Sequence, residues 1–126
     1  LGDVYKRQVS PNTDEDVIGE TKRAGMISLP GVATPSEVAA AKKYGADILK
    51  LFPASTFGPG HLKALRDPFP GNFWCPTGGL TAESVSDWFA AGANIVGVGG
   101  PLTKGGVDAI AGNVKAFLGA VAKARA

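Results

Sequence analysis

The chain has 126 residues, 44% of them hydrophobic and 19% charged, a composition typical of one globular domain. Its net charge of +2 is small and its basic residues are dispersed, which argues against a nucleic-acid partner. No apolar run approaches the roughly 20 residues that a membrane span needs. A single cysteine, Cys75, rules out an internal disulfide framework and is typical of a cytoplasmic protein.

The first eight residues, LGDVYKRQ, show neither apolar periodicity nor a helix cap. Residues 3–8 are also the translation of GATGTGTATAAGAGACAG, which resembles a transposon-type sequencing adapter. The sequence therefore predicts a non-native leader over residues 1–8 and one domain over residues 9–126. The alternative is a genuine short N-terminal strand.

Strand-like and helix-like segments alternate along the remaining chain. Gly25, Gly45 and Gly92 stand where helices are expected to end, because glycine adopts the left-handed conformation without a steric penalty. Each is followed by a short apolar run of strand length. The predicted strands cover about 8–11, 26–30, 47–52, 72–77 and 94–99, and the predicted helices cover 14–24, 34–44, 60–66, 81–91 and 106–123.

Threonines mark the predicted helix starts. Thr13 is expected to cap the first helix, with Val17 and Ile18 on its buried face. Residues 34–37, Thr-Pro-Ser-Glu, read as an N-cap, a proline at the first helical position and a capping-box glutamate. Thr81 is expected to cap the fourth helix. The last helix carries an apolar stripe at spacings of three and four, formed by Val107, Ile110, Val114, Phe117, Leu118 and Val121.

Helix-sized connections imply parallel strands, in either an open doubly wound sheet or part of a (β/α)8 barrel. Strands covered on both faces of an open sheet are continuously apolar. These strands instead carry small or polar residues at alternate positions, namely Ser28, Lys50, Thr77, Gly97 and Gly99. Inward-facing residues of this kind favour the barrel. A complete barrel takes about 200–250 residues, so we expect roughly its second half.

Lys50 interrupts the apolar run of the predicted strand 47–52. Because side chains alternate between the two faces of a strand, Lys50 faces away from Leu49 and Leu51. If the leucines pack on helices, the lysine points toward the barrel axis, where burial lowers its pKa and yields a nucleophilic amine. The alternative is a surface lysine that protects an edge strand.

Two glycine pairs follow consecutive strands, in CPTGGL (75–80) and VGVGGP (96–101). In TIM barrels the loops after strands seven and eight commonly form a phosphate site. Paired glycines let backbone N–H groups approach an anion closely. The predicted phosphate-binding residues are Gly78, Gly79, Gly99 and Gly100.

Four motifs carry a family resemblance: LPGVATPSE (29–37), LKLFPAS (49–55), FGPGHLKAL (57–65) and CPTGG (75–79). In this order and spacing they resemble the 2-keto-3-deoxy-6-phosphogluconate aldolase family, which includes the phosphogalactonate and 4-hydroxy-2-oxoglutarate aldolases. The resemblance runs over residues 9–126. It implies a metal-free, cofactor-free class I aldolase, typically homotrimeric, that cleaves a phosphorylated keto acid to pyruvate and an aldehyde. The chain would supply about strands 4–8 of its (β/α)8 barrel.

The resemblance also assigns roles to single residues. The Schiff-base lysine corresponds to Lys50, while Thr77, Phe52 and Pro30 are expected to contact the substrate. The family's Thr-Gly-Gly of strand seven and Gly-Gly of strand eight bind the substrate phosphate. They correspond to Thr77 with Gly78 and Gly79, and to Gly99 and Gly100.

Two departures from the family pattern matter. The serine that often follows the second Gly-Gly is Pro101 here, which has neither a hydroxyl nor an N–H. The family's general-base glutamate, its neighbouring arginine and a carboxylate-binding threonine lie in strands two and three, which this sequence lacks. We therefore expect little activity from the chain alone, and self-association through unpaired strand edges.

The other chemistry-bearing residues have structural interpretations. His61 is expected to be a solvated first-turn side chain, and Cys75 a buried small apolar residue. Trp74 and Trp88 are expected in the core or at a subunit interface.

Two other functions stay open at this stage. One is a phosphate-binding isomerase or synthase, similar to thiamine-phosphate synthase, that forms no imine. The other is a non-catalytic half barrel that only binds phosphate. The substrate branch is also open, since residues 57–65 favour the galactonate enzymes and residues 75–79 the gluconate enzymes.

Overall fold

In the computed structural model, which describes residues 6–126, short parallel strands alternate with helices. The strands are β1 (Arg7–Val9), β2 (Ile27–Leu29), β3 (Gly31–Val32), β4 (Ile48–Leu51) and β5 (Phe73–Trp74). The helices are α1 (Glu15–Arg23), α2 (Pro35–Tyr44), α3 (Ala54–Phe57), α4 (Pro59–Arg66), α5 (Val85–Ala90), α6 (Gly100–Thr103) and α7 (Ile110–Arg125), with a 3-10 turn at Val107–Ala109. The predicted α/β class and parallel pairing are confirmed.

The strands form one parallel surface with an interruption at Pro30. β1 pairs with β2, and β3, β4 and β5 pair in that order. Proline has no N–H to donate, so the stretch from residue 27 to residue 32 divides into two short strands. Its two halves both lie along β4, because the Asp47 N–H donates to the Ser28 carbonyl (3.1 Å) and the Lys50 N–H to the Pro30 carbonyl (3.0 Å).

Strand β1 includes two residues of the predicted leader. Arg7 and Gln8 pair with Ile27 and Ser28 in a parallel register. Residues 1–5 of the predicted leader lie outside the described residues. The assignment of residues 1–8 to a leader stays a prediction, but such a leader would occupy two positions of a strand.

The predicted strand 94–99 is wrong as a regular strand. The segment runs beside β5, with the Asn94 N–H donating to the Trp74 carbonyl (3.0 Å) and the Gly97 N–H to the Pro76 carbonyl (2.9 Å). Its only bridge pair among the described residues joins Thr77 and Gly97. Pro76 donates no hydrogen bond in return, which interrupts the ladder and also shortens β5.

The first helix begins one residue later than predicted. Asp14 is its N-cap, and its carboxylate accepts a hydrogen bond from the Val17 N–H at 3.0 Å. The Thr13 hydroxyl, predicted as the cap, donates instead to the Gly31 carbonyl at 2.8 Å. Ile18 is buried as predicted, whereas Val17 is exposed.

The capping box of α2 is confirmed: the Thr34 hydroxyl accepts from the Glu37 N–H, and the Glu37 carboxylate accepts from the Thr34 N–H at 2.8 Å. The fourth predicted helix starts later than expected. Thr81 does accept from the Ser84 N–H at 3.2 Å, but this closes a turn, and α5 begins only at Val85.

The core lies on one face of the sheet, between β4 and the helices. Leu49 and Leu51 are buried there, and the predicted burial of Trp74 and Trp88 in the core is confirmed. The predicted stripe of the last helix is covered in part: Phe117 is buried, Ile110, Val114 and Val121 are half-buried, and Val107 and Leu118 are exposed. No helix within residues 6–126 is long and apolar enough to cross a membrane.

Candidate active site

Lys50 projects from β4 on the side opposite the core. Its neighbours Leu49 and Leu51 are buried against the helices, as the alternation predicted. Lys50 is nevertheless only 8% exposed. It occupies the face that it shares with Ile48 and Phe52, which we call the inner face of the sheet.

The surroundings of Lys50 favour its neutral form. Burial lowers the pKa of Lys50, and only the negative charge that Cys75 could carry acts in the opposite direction. Within residues 6–126 no carboxylate forms an ion pair with its ammonium. Nζ lies 4.5 Å from the centroid of the Phe52 ring. Burial therefore moves the pKa of Lys50 toward the range in which the neutral amine, the nucleophile of imine formation, becomes available, and the side chain lies beside an aromatic ring.

Cys75 and Thr77 follow β5 on the same inner face. The register of β4 with β5 pairs Leu49 with Trp74, so Cys75 lies beside Lys50. The Thr77 hydroxyl donates to the Cys75 carbonyl at 3.3 Å. Burial raises the pKa of the Cys75 thiol, although the Thr77 hydroxyl and Lys50 oppose this. Cys75 is thus a buried neutral residue, as predicted.

The inner face borders a pocket of about 460 Å³. Most of its lining is apolar, with the Thr77 hydroxyl and Arg7 as polar contributions. Sequence reasoning missed Arg7, because it lies in the predicted leader; its alternation with Val9 along β1 is the only signal that could have indicated it. The lining includes Val9, Leu29, Ile48, Cys75, Thr77 and Gly99.

Both glycine pairs follow a parallel bridge between Thr77 and Gly97. Gly78 and Gly79 come directly after Thr77, and Gly99 and Gly100 come two and three residues after Gly97. A Cβ at Gly97 would overlap the Thr77 hydroxyl, which explains a glycine there.

The backbone of these pairs is available to a ligand. Gly78 and Gly79 have positive φ angles of 102° and 72°, which favour glycine. The N–H groups of Gly78, Gly79, Gly99 and Gly100 donate to no other described residue. Adjacent unpaired N–H groups of this kind bind anions.

Helix α3 holds the first glycine pair in place. The Ala54 N–H donates to the Thr77 carbonyl (2.9 Å) and the Ser55 N–H to the Gly78 carbonyl (3.0 Å). The Phe52 ring packs against Gly78, where a Cβ would lie 3.2 Å from Cε2. Phe52 therefore contacts both the lysine and the loop that is predicted to bind phosphate.

Pro30 and His61, both singled out from the sequence, make contacts within the fold. Pro30 is fully buried, and its carbonyl accepts from the Lys50 N–H, so the predicted substrate contact at Pro30 finds no support in this geometry. The prediction that His61 is solvated is wrong. Its Nε2 lies 2.6 Å from the Ala33 carbonyl, and its ring stacks on Phe57 at 4.7 Å.

The arrangement brings together a desolvated amine, a threonine hydroxyl and an N–H-lined loop on one edge of the sheet. Such a site can condense a ketone with the amine while an anionic group of the same molecule binds the loop. Across residues 6–126 no three His, Cys, Asp or Glu side chains cluster closely enough to hold a metal ion.

Known proteins resemble this chain in both sequence and structure. It is 37% identical over 119 residues to the 2-dehydro-3-deoxy-6-phosphogalactonate aldolase of Escherichia coli, covering 92% of this chain and 58% of that protein. A solved structure described as "Native KDPGal structure" superposes with a TM-score of 0.91 and 35% identity, covering 95% of this chain and 60% of the other. The chain thus spans about three fifths of their length.

A more distant likeness concerns the alternative enzyme class. A thiamine phosphate pyrophosphorylase from Pyrococcus furiosus superposes over 95% of this chain and 60% of its own, with a TM-score of 0.74 but 17% identity. This likeness shows a shared fold only. The family described as "KDPG and KHG aldolase", in contrast, matches residues 6–115. The chain therefore belongs to the KDPG and KHG aldolase family.

Proposed function

We propose that this chain is the Schiff-base-forming portion of a class I aldolase that cleaves a 2-keto-3-deoxy-6-phospho sugar acid. The observation that carries the proposal is the burial of Lys50, which lowers its pKa, on the inner face of β4 in a chain of this family. The products would be pyruvate and glyceraldehyde 3-phosphate.

The lysine would act as the nucleophile. Its neutral amine attacks the C2 ketone, and loss of water gives a protonated imine. A base then removes the proton of the C4 hydroxyl, the C3–C4 bond breaks, and its electron pair moves into the imine to leave an enamine and the aldehyde. Protonation of the enamine at C3 and hydrolysis of the imine release pyruvate and restore Lys50.

The neighbouring residues would bind the substrate. Phe52 packs between Lys50 and the first glycine pair and would keep water from the imine. Thr77 lines the pocket that adjoins the inner face, and its hydroxyl would contact the keto acid. The free N–H groups of the four glycines would bind the phosphate, since they stand at the strand ends beyond Thr77.

The remainder of the site would come from a longer polypeptide. The parallel strands, their order and the superposition on an aldolase of greater length support about strands 4–8 of a (β/α)8 barrel over residues 9–126. By family resemblance, the general base and the carboxylate-binding residues belong to the earlier strands, and the complete enzyme is a cytoplasmic homotrimer. The gluconate, galactonate and hydroxyoxoglutarate substrates all stay open.

Borohydride trapping tests this proposal. The purified chain is incubated with pyruvate and sodium borohydride, and its intact mass is measured before peptide mapping. We expect a reduced pyruvyl adduct on Lys50, because a neutral buried amine forms the imine that borohydride reduces. The control is Lys50→Met, which leaves the other lysines available and should show no adduct at this peptide.

Two results would contradict the proposal. An adduct spread over several surface lysines would show that Lys50 has no special reactivity. The absence of an adduct on the folded chain, followed by its absence on a protein extended to the full length of the relatives, would end the aldolase assignment.

A further inference from the structure

We propose that the Ser55 hydroxyl is a further phosphate-binding group, acting beside the glycine loop as a side-chain donor. This inference rests on the proposed function and gives a role to Ser55, the last residue of the LKLFPAS motif, to which the family resemblance assigned none. It concerns the phosphate end of the substrate, away from the reacting carbonyl.

The position of Ser55 is fixed by its backbone. Its N–H donates to the Gly78 carbonyl at 3.0 Å, and the preceding Ala54 N–H donates to the Thr77 carbonyl. These two bonds dock the first turn of α3 against the loop. Because both use loop carbonyls, they leave the loop N–H groups free for an anion.

The Ser55 side chain lies directly over Gly79. A Cβ on Gly79 would overlap both the Oγ and the Cβ of Ser55, so only glycine allows the hydroxyl to approach this closely. The residue is exposed, and its hydroxyl forms no hydrogen bond within residues 6–126. An unpaired donor thus adjoins the unpaired N–H groups of Gly78 and Gly79.

The chemistry of the opposite loop explains why another donor would matter. Pro101 follows the second glycine pair and offers neither a hydroxyl nor an N–H. A phosphate carries several acceptor oxygens, and backbone donors on one side leave others to be satisfied. Ser55 supplies a hydroxyl from the α3 side, where Pro101 supplies none from the α6 side.

Binding of inorganic phosphate to the full 126-residue chain tests the inference. Backbone amide shifts of a nitrogen-15-labelled sample are followed during titration with phosphate, with ionic strength held constant by chloride. We expect saturable shifts at Gly78, Gly79 and Gly99. Ser55→Ala should weaken phosphate binding about tenfold, the lower end of the effect of one hydrogen bond to a charged group.

Two variants serve as controls. Thr56→Ala removes the neighbouring exposed hydroxyl, which adjoins no glycine of the loop, and should leave binding unchanged. Ser55→Thr retains the hydroxyl and should bind phosphate within about twofold of the wild type. The amide shifts of Ala54 and Ser55 report whether α3 stays docked in each variant.

The outcomes separate this inference from the proposed function. Equal phosphate affinity in the wild type and in Ser55→Ala, with the glycine shifts intact, would overturn the role of Ser55 alone. No phosphate-dependent shift at any glycine would overturn both the phosphate site and the role of Ser55. The pyruvyl adduct on Lys50 is measured on the same samples and should be unaffected by Ser55→Ala, because it needs no phosphate.

Discussion

The burial of Lys50 favours its proposed chemistry but destabilises the folded protein. A charged ammonium on a strand with 8% exposure is poorly hydrated, and no carboxylate of residues 6–126 compensates it with an ion pair. The same burial lowers the pKa of the amine and so prepares it for attack on a ketone. The buried position therefore serves the proposed chemistry at the expense of folding free energy.

Replacing Lys50 with methionine should raise the free energy of unfolding at neutral pH. Between the lowered pKa of the folded state and the unfolded value of about 10.4, the unfolded chain binds one proton more, so wild-type stability rises with pH. Below this window the folded protein carries the full penalty of the buried charge. Urea unfolding at about pH 7 and about pH 10 measures this effect. The free energy of unfolding of Lys50→Met should exceed that of the wild type by less at about pH 10 than at about pH 7.

The control for this measurement is Lys43→Met, on an exposed position of α2. It should change stability by less than about 0.5 kcal/mol at either pH. Identical pH dependence in the wild type and in Lys50→Met would contradict a lowered pKa at Lys50.

The burial of a side chain could be predicted from the sequence where neighbouring residues in the chain determine its surroundings. Leu49 and Leu51 must face away from Lys50 because a strand alternates, and this was confirmed. His61 was wrongly expected to be solvated. Its partner is the Ala33 carbonyl, 28 positions earlier in the chain, and only the packing of α4 against the turn after β3 brings them together.

Among the elements, α2 has the most complete sequence signal and the most complete cap. The Thr34 hydroxyl and the Glu37 carboxylate satisfy each other's backbone N–H, and Glu37 also accepts from the Ala33 N–H at 2.9 Å. The pKa of Glu37 is lowered: burial alone would raise it, but these hydrogen bonds outweigh burial.

Thr34→Ala should destabilise the chain by about 1 kcal/mol, because the N-terminus of α2 loses a side-chain acceptor. Thr34→Ser keeps the acceptor and is the matched control, with a loss well below that of alanine. Urea unfolding monitored by circular dichroism measures both. Equal losses in the two variants would show that the methyl group of Thr34, and not its hydroxyl, stabilises the helix.

Long-range hydrogen bonding explains why the sequence did not predict some elements correctly. The segment 94–99 has strand-like composition, but its neighbour Pro76 cannot complete the ladder. The one-turn helices α3 and α6 carry no periodicity that a sequence could reveal. α3 is held instead by the carbonyls of Thr77 and Gly78, more than 20 positions further along the chain.

At the scale of the whole molecule, the inner face is the main exposed apolar surface of the sheet. It presents large apolar side chains from four neighbouring segments, and Phe73 is 60% exposed. Exposed apolar patches of this kind mark surfaces that bind protein. The exposed residues of this face are Val9, Ile27, Phe73 and Ile95.

We expect this surface to make the chain self-associate with increasing concentration, as predicted from its unpaired strand edges. Phe73→Ser should reduce the association measured by light scattering after size-exclusion chromatography. Leu118→Ser is the matched control, since Leu118 is similarly exposed but lies on α7, outside the inner face. A monomeric wild type that melts cooperatively at high concentration would contradict the prediction.

The sequence by itself determined the alternation of strands and helices, the glycine helix ends, the α2 cap and the position of Lys50 on the face opposite Leu49 and Leu51. Each depends on contacts within a few residues or on the two-residue period of a strand. Only the tertiary structure decided that Arg7 lines the pocket, that His61 bonds Ala33 and that Ser55 stands over Gly79. Those contacts join segments far apart in sequence, where no local propensity or spacing can indicate which residues meet.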